Sequence, residues 1–360
     1  MELKMRKAIR VGLTNVRQEL AERLYLTSGL DITKPVQVYC LLTYRCNARC
    51  KMCDHWRLEH YPEELPASVW IEALRDLKRF SPGAHVQFTG GEVLMKNDFL
   101  DILKWCGQNG LSAGMVTNAG MITREIAEKI VDCRPNNVNI SVDSPFHAVH
   151  DELRGREGFL KKVIAGIGFL RDASEKAGVR IAISVKPTMS KLNFESMPEL
   201  LEKAVSWGAT MMNIQPLVVR TDETVGMDIA GLDGVEEVFT RLLDMKSEGY
   251  PLVNTKRQFD SWNKIGTVQS RRRKPCTVGL RLLEILSDGD VQFCNHILTR
   301  IGNIRESKIS ELWYSPQAKI EREKTVLCRY NCTASCYVSR TFAEKVVFFW
   351  RSFVDKKRRH

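Results

Sequence analysis

Six strand–helix units in succession predict an α/β fold: a partial (β/α)6 TIM-like barrel, followed by a small C-terminal β-hairpin/helix segment. Three observations carry this. β-rich apolar runs and amphipathic helical stretches alternate six times between Val36 and Lys246, and alternating βα units build a parallel sheet with helices outside. Cysteine-rich or polar loops follow the strands at their C-terminal ends, where such barrels place their chemistry. A second group of cysteines surrounds an Asp-Gly hairpin signal near the end of the chain. The alternation alone also permits a doubly wound open sheet.

The elements follow in order. Residues 1–30 read as a basic amphipathic helix, with Ile9, Leu13, Val16, Leu20 and Leu24 at helical spacing as its packing face. After Pro35, Val36 to Thr43 is the first strand, and a cysteine loop follows it. Ala67 to Phe80 is a helix burying Trp70, Ala73, Leu74 and Leu77; His85 to Thr89 is the second strand, followed by Gly90-Gly91-Glu92. Asn97 to Gln108 is a helix, Ser112 to Thr117 a strand, and Thr123 to Asp132 a helix with Thr123 as N-cap. Asn137 to Val142 is a strand and Gly158 to Lys176 a helix that Gly178 closes. Val179 to Lys186 is a strand ended by Pro187, and Phe194 to Trp207 is a helix. Thr210 to Leu217 is a strand broken by Pro216, and Val235 to Lys246 is the sixth helix. The expected organisation is a lead-in over 1–34, a core barrel over 35–220, a connecting segment over 221–275, a cysteine-bearing domain over 276–340 and a tail over 341–360.

Composition narrows the class. With 360 residues and 44% hydrophobic content the chain can bury a large core. No apolar run is long enough to span a bilayer, and the N-terminus lacks the apolar centre of a signal peptide, so the expected location is cytoplasmic. Eleven cysteines in that setting read as metal ligands rather than disulfides. The net charge of +11 is partly local, in the runs 271–274 and 356–359. Such runs are usually solvated, and no nucleic-acid-binding module accompanies them, so nucleic acid is not the expected partner.

The chemistry begins at Cys46, Cys50 and Cys53, spaced C-x3-C-x2-C. Three thiolates hold three corners of a 4Fe–4S cluster and leave one iron open. Spacing alone also admits zinc, with Asp54, His55 or His60 as a fourth ligand, or structural cysteines packed as small hydrophobes.

That loop after the first strand, Gly90-Gly91-Glu92 after the second, Thr117-Asn118, Ser141-Val142-Asp143 and His150-Asp151-Glu152-Leu153-Arg154-Gly155 together resemble the radical S-adenosylmethionine (SAM) superfamily over residues 35–217. Two positions depart from its pattern. Met52 stands where an aromatic often precedes the third cysteine, and Val93 where proline often follows Gly-Gly-Glu. The resemblance implies that the open iron chelates SAM and that an electron cleaves it to methionine and a 5′-deoxyadenosyl radical. It implies contacts for Gly90, Gly91 and Glu92 at the methionyl ammonium, for Asn118 in the SAM region, for Ser141 and Asp143 at the ribose hydroxyls, and for Arg154 at the carboxylate. The plainer alternatives are turn formation for Gly90, Gly91, Asn118, Ser141 and Asp143, and a surface ion pair of Arg154 with Glu152 or Glu157.

Cys276, Cys294, Cys328, Cys332 and Cys336 form the second group. Leu280 to Phe293 reads as a hairpin turning at Asp288-Gly289, and Ile309 to Lys324 as a helix. This segment resembles the SPASM or twitch extension of radical SAM enzymes. Five cysteines instead of seven imply one auxiliary 4Fe–4S cluster, held by Cys276 and Cys294 with two of the last three, Cys336 among them. Zinc would also suit the group. Cys40, Cys106 and Cys133 fall within strand and helix patterns and read as packing residues.

The expected function is hydrogen abstraction from a peptide, protein, carbohydrate or other metabolite, with a flavodoxin or ferredoxin as electron donor. The alternative class is an iron–sulfur scaffold or electron carrier without SAM turnover. Phe342 to Phe353 with the basic end reads as a terminal packing helix or as a peripheral membrane contact.

Overall fold

The computed structural model describes residues 2–219, 222–263, 275–294 and 299–328. Cys332, Cys336, the basic run 271–274 and the tail at 342–360 lie outside the described residues.

The chain order is α1 (Glu2–Ser28), β1 (Gln37–Leu41), α2 (Ala67–Phe80), β2 (His85–Thr89), α3 (Phe99–Gln108), β3 (Ser112–Thr117), α4 (Arg124–Asp132), β4 (Asn137–Ile140), α5 (His147–Arg154), α6 (Phe159–Lys176), β5 (Ala182–Val185), β6 (Thr188–Met189), α7 (Met197–Trp207), β7 (Met211–Met212), β8 (Gln215–Pro216), α8 (Val235–Ser247), α9 (Lys256–Asn263), α10 (Val278–Arg281), β9 (Leu282–Ile285), β10 (Asp290–Gln292), β11 (Arg300–Asn303), α11 (Ile309–Trp313) and α12 (Pro316–Leu327).

Strands β1, β2, β3, β4, β5 and β7 lie side by side in sequence order, all parallel. A doubly wound sheet reverses its order at a switch point; this sheet does not, so it is the singly wound sheet of an open, partial barrel. Its two faces differ in chemistry. Val38, Cys40, Val86, Phe88, Met115, Val138, Ile140, Ile183 and Val185 belong to the buried apolar core with the helix faces. Alternate positions are polar: the side-chain amides of Asn137 and Asn139 both donate to Gln87 Oε1, at 2.9 and 3.3 Å.

The C-terminal hairpin is part of the same sheet. β9 pairs parallel to β1 on its free edge, Gln37 level with Leu282, and β10 and β11 continue antiparallel beyond it. Pro187 follows the end of β5, as expected, whereas the last predicted barrel strand breaks at Asn213-Ile214, ahead of Pro216, which lies within β8. β5 stops at Val185 and β7 at Met212, and the chain resumes as β6 and β8, which pair with each other in a separate two-stranded sheet.

The face of α1 also differs from the predicted one. Val16 and Leu20 are exposed, while Gln18, Ala21 and Glu22 are buried. Gln18 Nε2 donates to Leu280 O, and Glu22 pairs with Arg281 at 2.6 Å. Polar contacts to α10 thus turn Val16 and Leu20 outward. Among the described residues no helix is long and apolar enough to cross a membrane.

Candidate active site

The loop after β1 is held from three sides. From β2, Gly91 N donates to Thr43 O at 2.7 Å and Glu92 N to Arg45 O at 2.9 Å. A Cβ on Gly90 would lie 2.2 Å from Thr43 O, and one on Gly91 2.2 Å from Arg45 O. The two glycines are therefore required by the backbone of the cysteine loop itself. From α5, Arg49 N and Lys51 N donate to Arg154 O and Leu153 O, both at 3.0 Å. Gly155 closes that helix in the left-handed conformation, and a Cβ there would lie 2.3 Å from Arg49 O. From the loop after β3, Asn118 Nδ2 donates to Asn47 Oδ1 at 2.6 Å and reaches Cys46 Sγ at 3.8 Å.

Glu92 is fully buried. Its Oε1 accepts from Leu94 N and Thr117 Oγ1, and its Oε2 from Asn118 N at 2.7 Å. The carboxylate thus ties the turn after β2 to the loop after β3. Burial raises its pKa, and the three donated bonds oppose the rise.

Arg154 is buried beside Cys50, with Nη1 3.7 Å from its sulfur and Nε 2.6 Å from Asp143 Oδ2. Neither Glu152 nor Glu157 is its partner; Glu152 pairs with Lys51. Burial would lower the guanidinium's pKa, but Asp143 and Cys50 outweigh it and keep it charged. Asp143 Oδ1 accepts from Thr188 N at 2.9 Å, and Asp143 N donates to His150 Nδ1 at 3.2 Å. Ser141, just past the end of β4 and two residues before Asp143, is half-buried.

The three thiols differ in exposure: Cys50 is buried, Cys46 and Cys53 half-buried. Burial pushes Cys46 up to about 11, with Cys50, Glu92 and Cys53 adding to the rise and the Ala48 N–H opposing it. Among the described residues no three Cys, His, Asp or Glu side chains converge to hold a single metal ion. A cubane attaches each cysteine to a different iron, so its ligands need not converge on one point. A buried cation beside Cys50 and an amide donor beside Cys46 suit a set of anionic sulfurs. The donor set therefore fits an iron–sulfur cluster.

Sequence reasoning missed α5 as a helix, because only His150, Leu153 and Arg154 of its eight residues are buried and it shows no apolar stripe. It also missed Glu64, which accepts from Arg45 Nε and Nη2, both at 2.8 Å, and from Thr43 Oγ1, pinning the base of the cysteine loop.

The described cysteines of the second group, Cys276, Cys294 and Cys328, lie toward the other end of the sheet. Cys276 precedes α10, and Cys294 lies two residues past Gln292, whose pairing with Glu284 puts it level with Leu282 at the start of β9. Cys328 caps α12, which packs on α10 through Arg322 Nε to Gly279 O at 2.9 Å. Cys40 and Cys106 are buried in the core, and Cys133 caps α4.

A singly wound βα barrel with a buttressed three-cysteine loop at its mouth and a cysteine-flanked hairpin on its edge defines a cofactor-dependent iron–sulfur enzyme. The comparisons agree. Residues 40–204 match the Radical SAM superfamily, and residues 276–337 match the SPASM iron–sulfur cluster-binding domain. The chain belongs to the radical SAM superfamily, carries a C-terminal SPASM domain and is an enzyme whose cofactors are an iron–sulfur cluster and SAM. It is 26% identical to the AdoMet-dependent heme synthase of Nitratidesulfovibrio vulgaris over 308 residues, covering 80% of this chain and 82% of that protein. It is 22% identical to the PqqA peptide cyclase of Methylocella silvestris over 315 residues, covering 81% and 78%. Among solved structures, Streptococcus suis SuiB bound to S-adenosylmethionine superimposes with a TM-score of 0.66 at 16% identity, covering 81% of this chain and 68% of that one. SuiB has also been solved with its precursor peptide SuiA.

Proposed function

We propose that Cys46, Cys50 and Cys53 hold a 4Fe–4S cluster with one open iron, and that the enzyme uses SAM there to abstract hydrogen from an organic substrate. Bound together, cluster and SAM supply one-electron cleavage to methionine and a 5′-deoxyadenosyl radical; the protein orients them and excludes water. The observation that carries this is the buttressed loop, with Arg154 and Asn118 set against two of its sulfurs. In this reading Gly90, Gly91 and Glu92 act through position, holding the loop and Asn118 in place. Arg154 offers a fixed positive charge for a carboxylate, and Asp143 orients it. Ser141 remains the mouth hydroxyl for the ribose, with Asp143 behind it.

A second 4Fe–4S cluster on Cys276, Cys294 and two of Cys328, Cys332 and Cys336 would sit at the opposite end of β1 from the first. The five residues of β1 span about 13 Å. That separation favours an auxiliary electron acceptor over a site that binds substrate directly. A flavodoxin or ferredoxin donates the initiating electron. The named relatives act on peptides or make heme, so the substrate class is a peptide or a similarly sized metabolite.

The test is 5′-deoxyadenosine release from SAM by the reconstituted protein under reducing, oxygen-free conditions. Release that Cys50→Ala abolishes is expected. A protein with full iron that neither binds SAM nor releases 5′-deoxyadenosine would be an electron carrier instead.

A further inference from the structure

At the barrel mouth, one row of side chains is left uncommitted. The parallel register places residues of successive strands side by side: Thr117 with Ile140, Ile140 with Val185, and Val185 with Met212. One residue further on, the row reads Asn118, Ser141, Lys186 and Asn213. The ladder continues through it, since Ser141 N donates to Thr117 O, Lys186 N to Ile140 O and Asn213 N to Val185 O. Strand alternation puts this row on the polar face, with Asn139 and Ser184 two residues below.

Asn118 is committed to Asn47, Cys46 and Gly120. The side chains of Ser141, Lys186 and Asn213 are half-buried, and none makes a hydrogen bond or ion pair to another described residue. Three other basic groups at this end are matched by carboxylates: Arg45 by Glu64, Lys96 by Asp98 and Arg154 by Asp143. Asp143, the nearest carboxylate along the chain from Ser141, is fully engaged by Arg154 and Thr188 N. Lys186 is therefore a recessed ammonium without a counter-charge among the described residues. Burial, the sole perturbation on it, brings its pKa down to about 8. Neighbouring strands are about 4.8 Å apart, so Lys186 lies roughly 10 Å across the mouth from Asn118, beyond the residues proposed for SAM.

We propose that Lys186, with Asn213 beside it on the side away from Ser141, anchors a carboxylate of the organic substrate. A recessed cation with an amide donor beside it is a site for an anion with two oxygens. The assignment rests on the radical SAM reading only in calling the ligand a second substrate; the anion site stands on the geometry alone.

The experiment is a pH titration of the reconstituted full chain labelled with [ε-13C]lysine, with the Lys186 resonance assigned by its loss in Lys186→Arg. The probe is acetate at about 50 mM, enough to load a site of millimolar affinity. A bound carboxylate favours the ammonium. We expect the Lys186 midpoint to rise by about one unit, tenfold in proton affinity, and the rise to shrink by more than half in Asn213→Leu. No movement with acetate overturns the proposal. The same movement with SAM alone also overturns it, by assigning Lys186 to the methionyl carboxylate. Failure of SAM to bind or be cleaved, with the acetate response intact, refutes the functional reading and leaves the anion site standing.

Discussion

His150 shows what one residue contributes to the site from behind. It is fully buried, stacks on Phe159, and its Nδ1 accepts from Asp143 N, which requires the neutral ring. Burial is the main cause that brings its pKa down to about 4; Asp143 opposes this and Arg154 adds to it. A base whose folded pKa lies below its unfolded value costs stability as pH falls between the two, because the unfolded chain takes up a proton that the folded one refuses. The window runs from about pH 6.5 down to about 4, and the full loss is about 3 kcal/mol. His150→Asn, which keeps an acceptor for Asp143 N, should flatten that part of the stability–pH curve measured by urea unfolding. A curve of unchanged slope would mean that His150 does not supply the proton linkage. The motif containing His150 and Arg154 was legible in the sequence. Their partners within the protein were not: local spacing offers Arg154 only Glu152 or Glu157, whereas it meets Asp143 eleven residues back and Cys50 across the fold.

At the scale of elements, helices with an apolar stripe were read almost to the residue. Ala67–Phe80 agrees at both ends, and Thr123 caps α4 by accepting from Ile126 N at 3.2 Å. α1 defeated the same rule because its buried face is made by Gln18 and Glu22, whose hydrogen-bond partners on α10 are some 260 residues away. The short helix α5 matters most to the site, and two glycines near its end separate its roles. Gly155 and Gly158 both have positive φ, at 61° and 65°. An alanine at either costs about 1 kcal/mol in backbone strain. Only at Gly155 does the new Cβ also meet the cysteine loop, at Arg49 O; around Gly158 there is open space. Gly158→Ala should therefore lower stability by about that amount and keep the iron content of the wild type. Gly155→Ala should lose iron by pushing the loop away from α5. Equal iron in both variants would show that α5 does not brace the loop.

The whole molecule joins two cysteine groups through one strand. The separate reading of barrel and hairpin was correct in its parts, but the sequence carries no sign that β9 adds to the free edge of β1, since edge pairing depends on which strand is left uncovered. The consequence is directional. β9 runs parallel to β1, so the hairpin's turn lies beside the mouth, where Leu65 N donates to Ser287 O at 3.0 Å. Its base, with Cys276 and Cys294, lies at the far end beside α10 and α1. Two sites at opposite ends of one strand, sharing no described side chain, should lose their metal independently, because substitutions at distant sites without common partners add. Each cubane carries four irons. Cys50→Ala and Cys294→Ala should each remove about four irons per chain, and the double variant about eight. Iron analysis paired with electron paramagnetic resonance of the dithionite-reduced proteins would separate the two signals, one lost in each single variant. If Cys294→Ala also removed the signal that depends on Cys50, the two ends of β1 would be coupled, and the auxiliary centre would belong to the same site as the first.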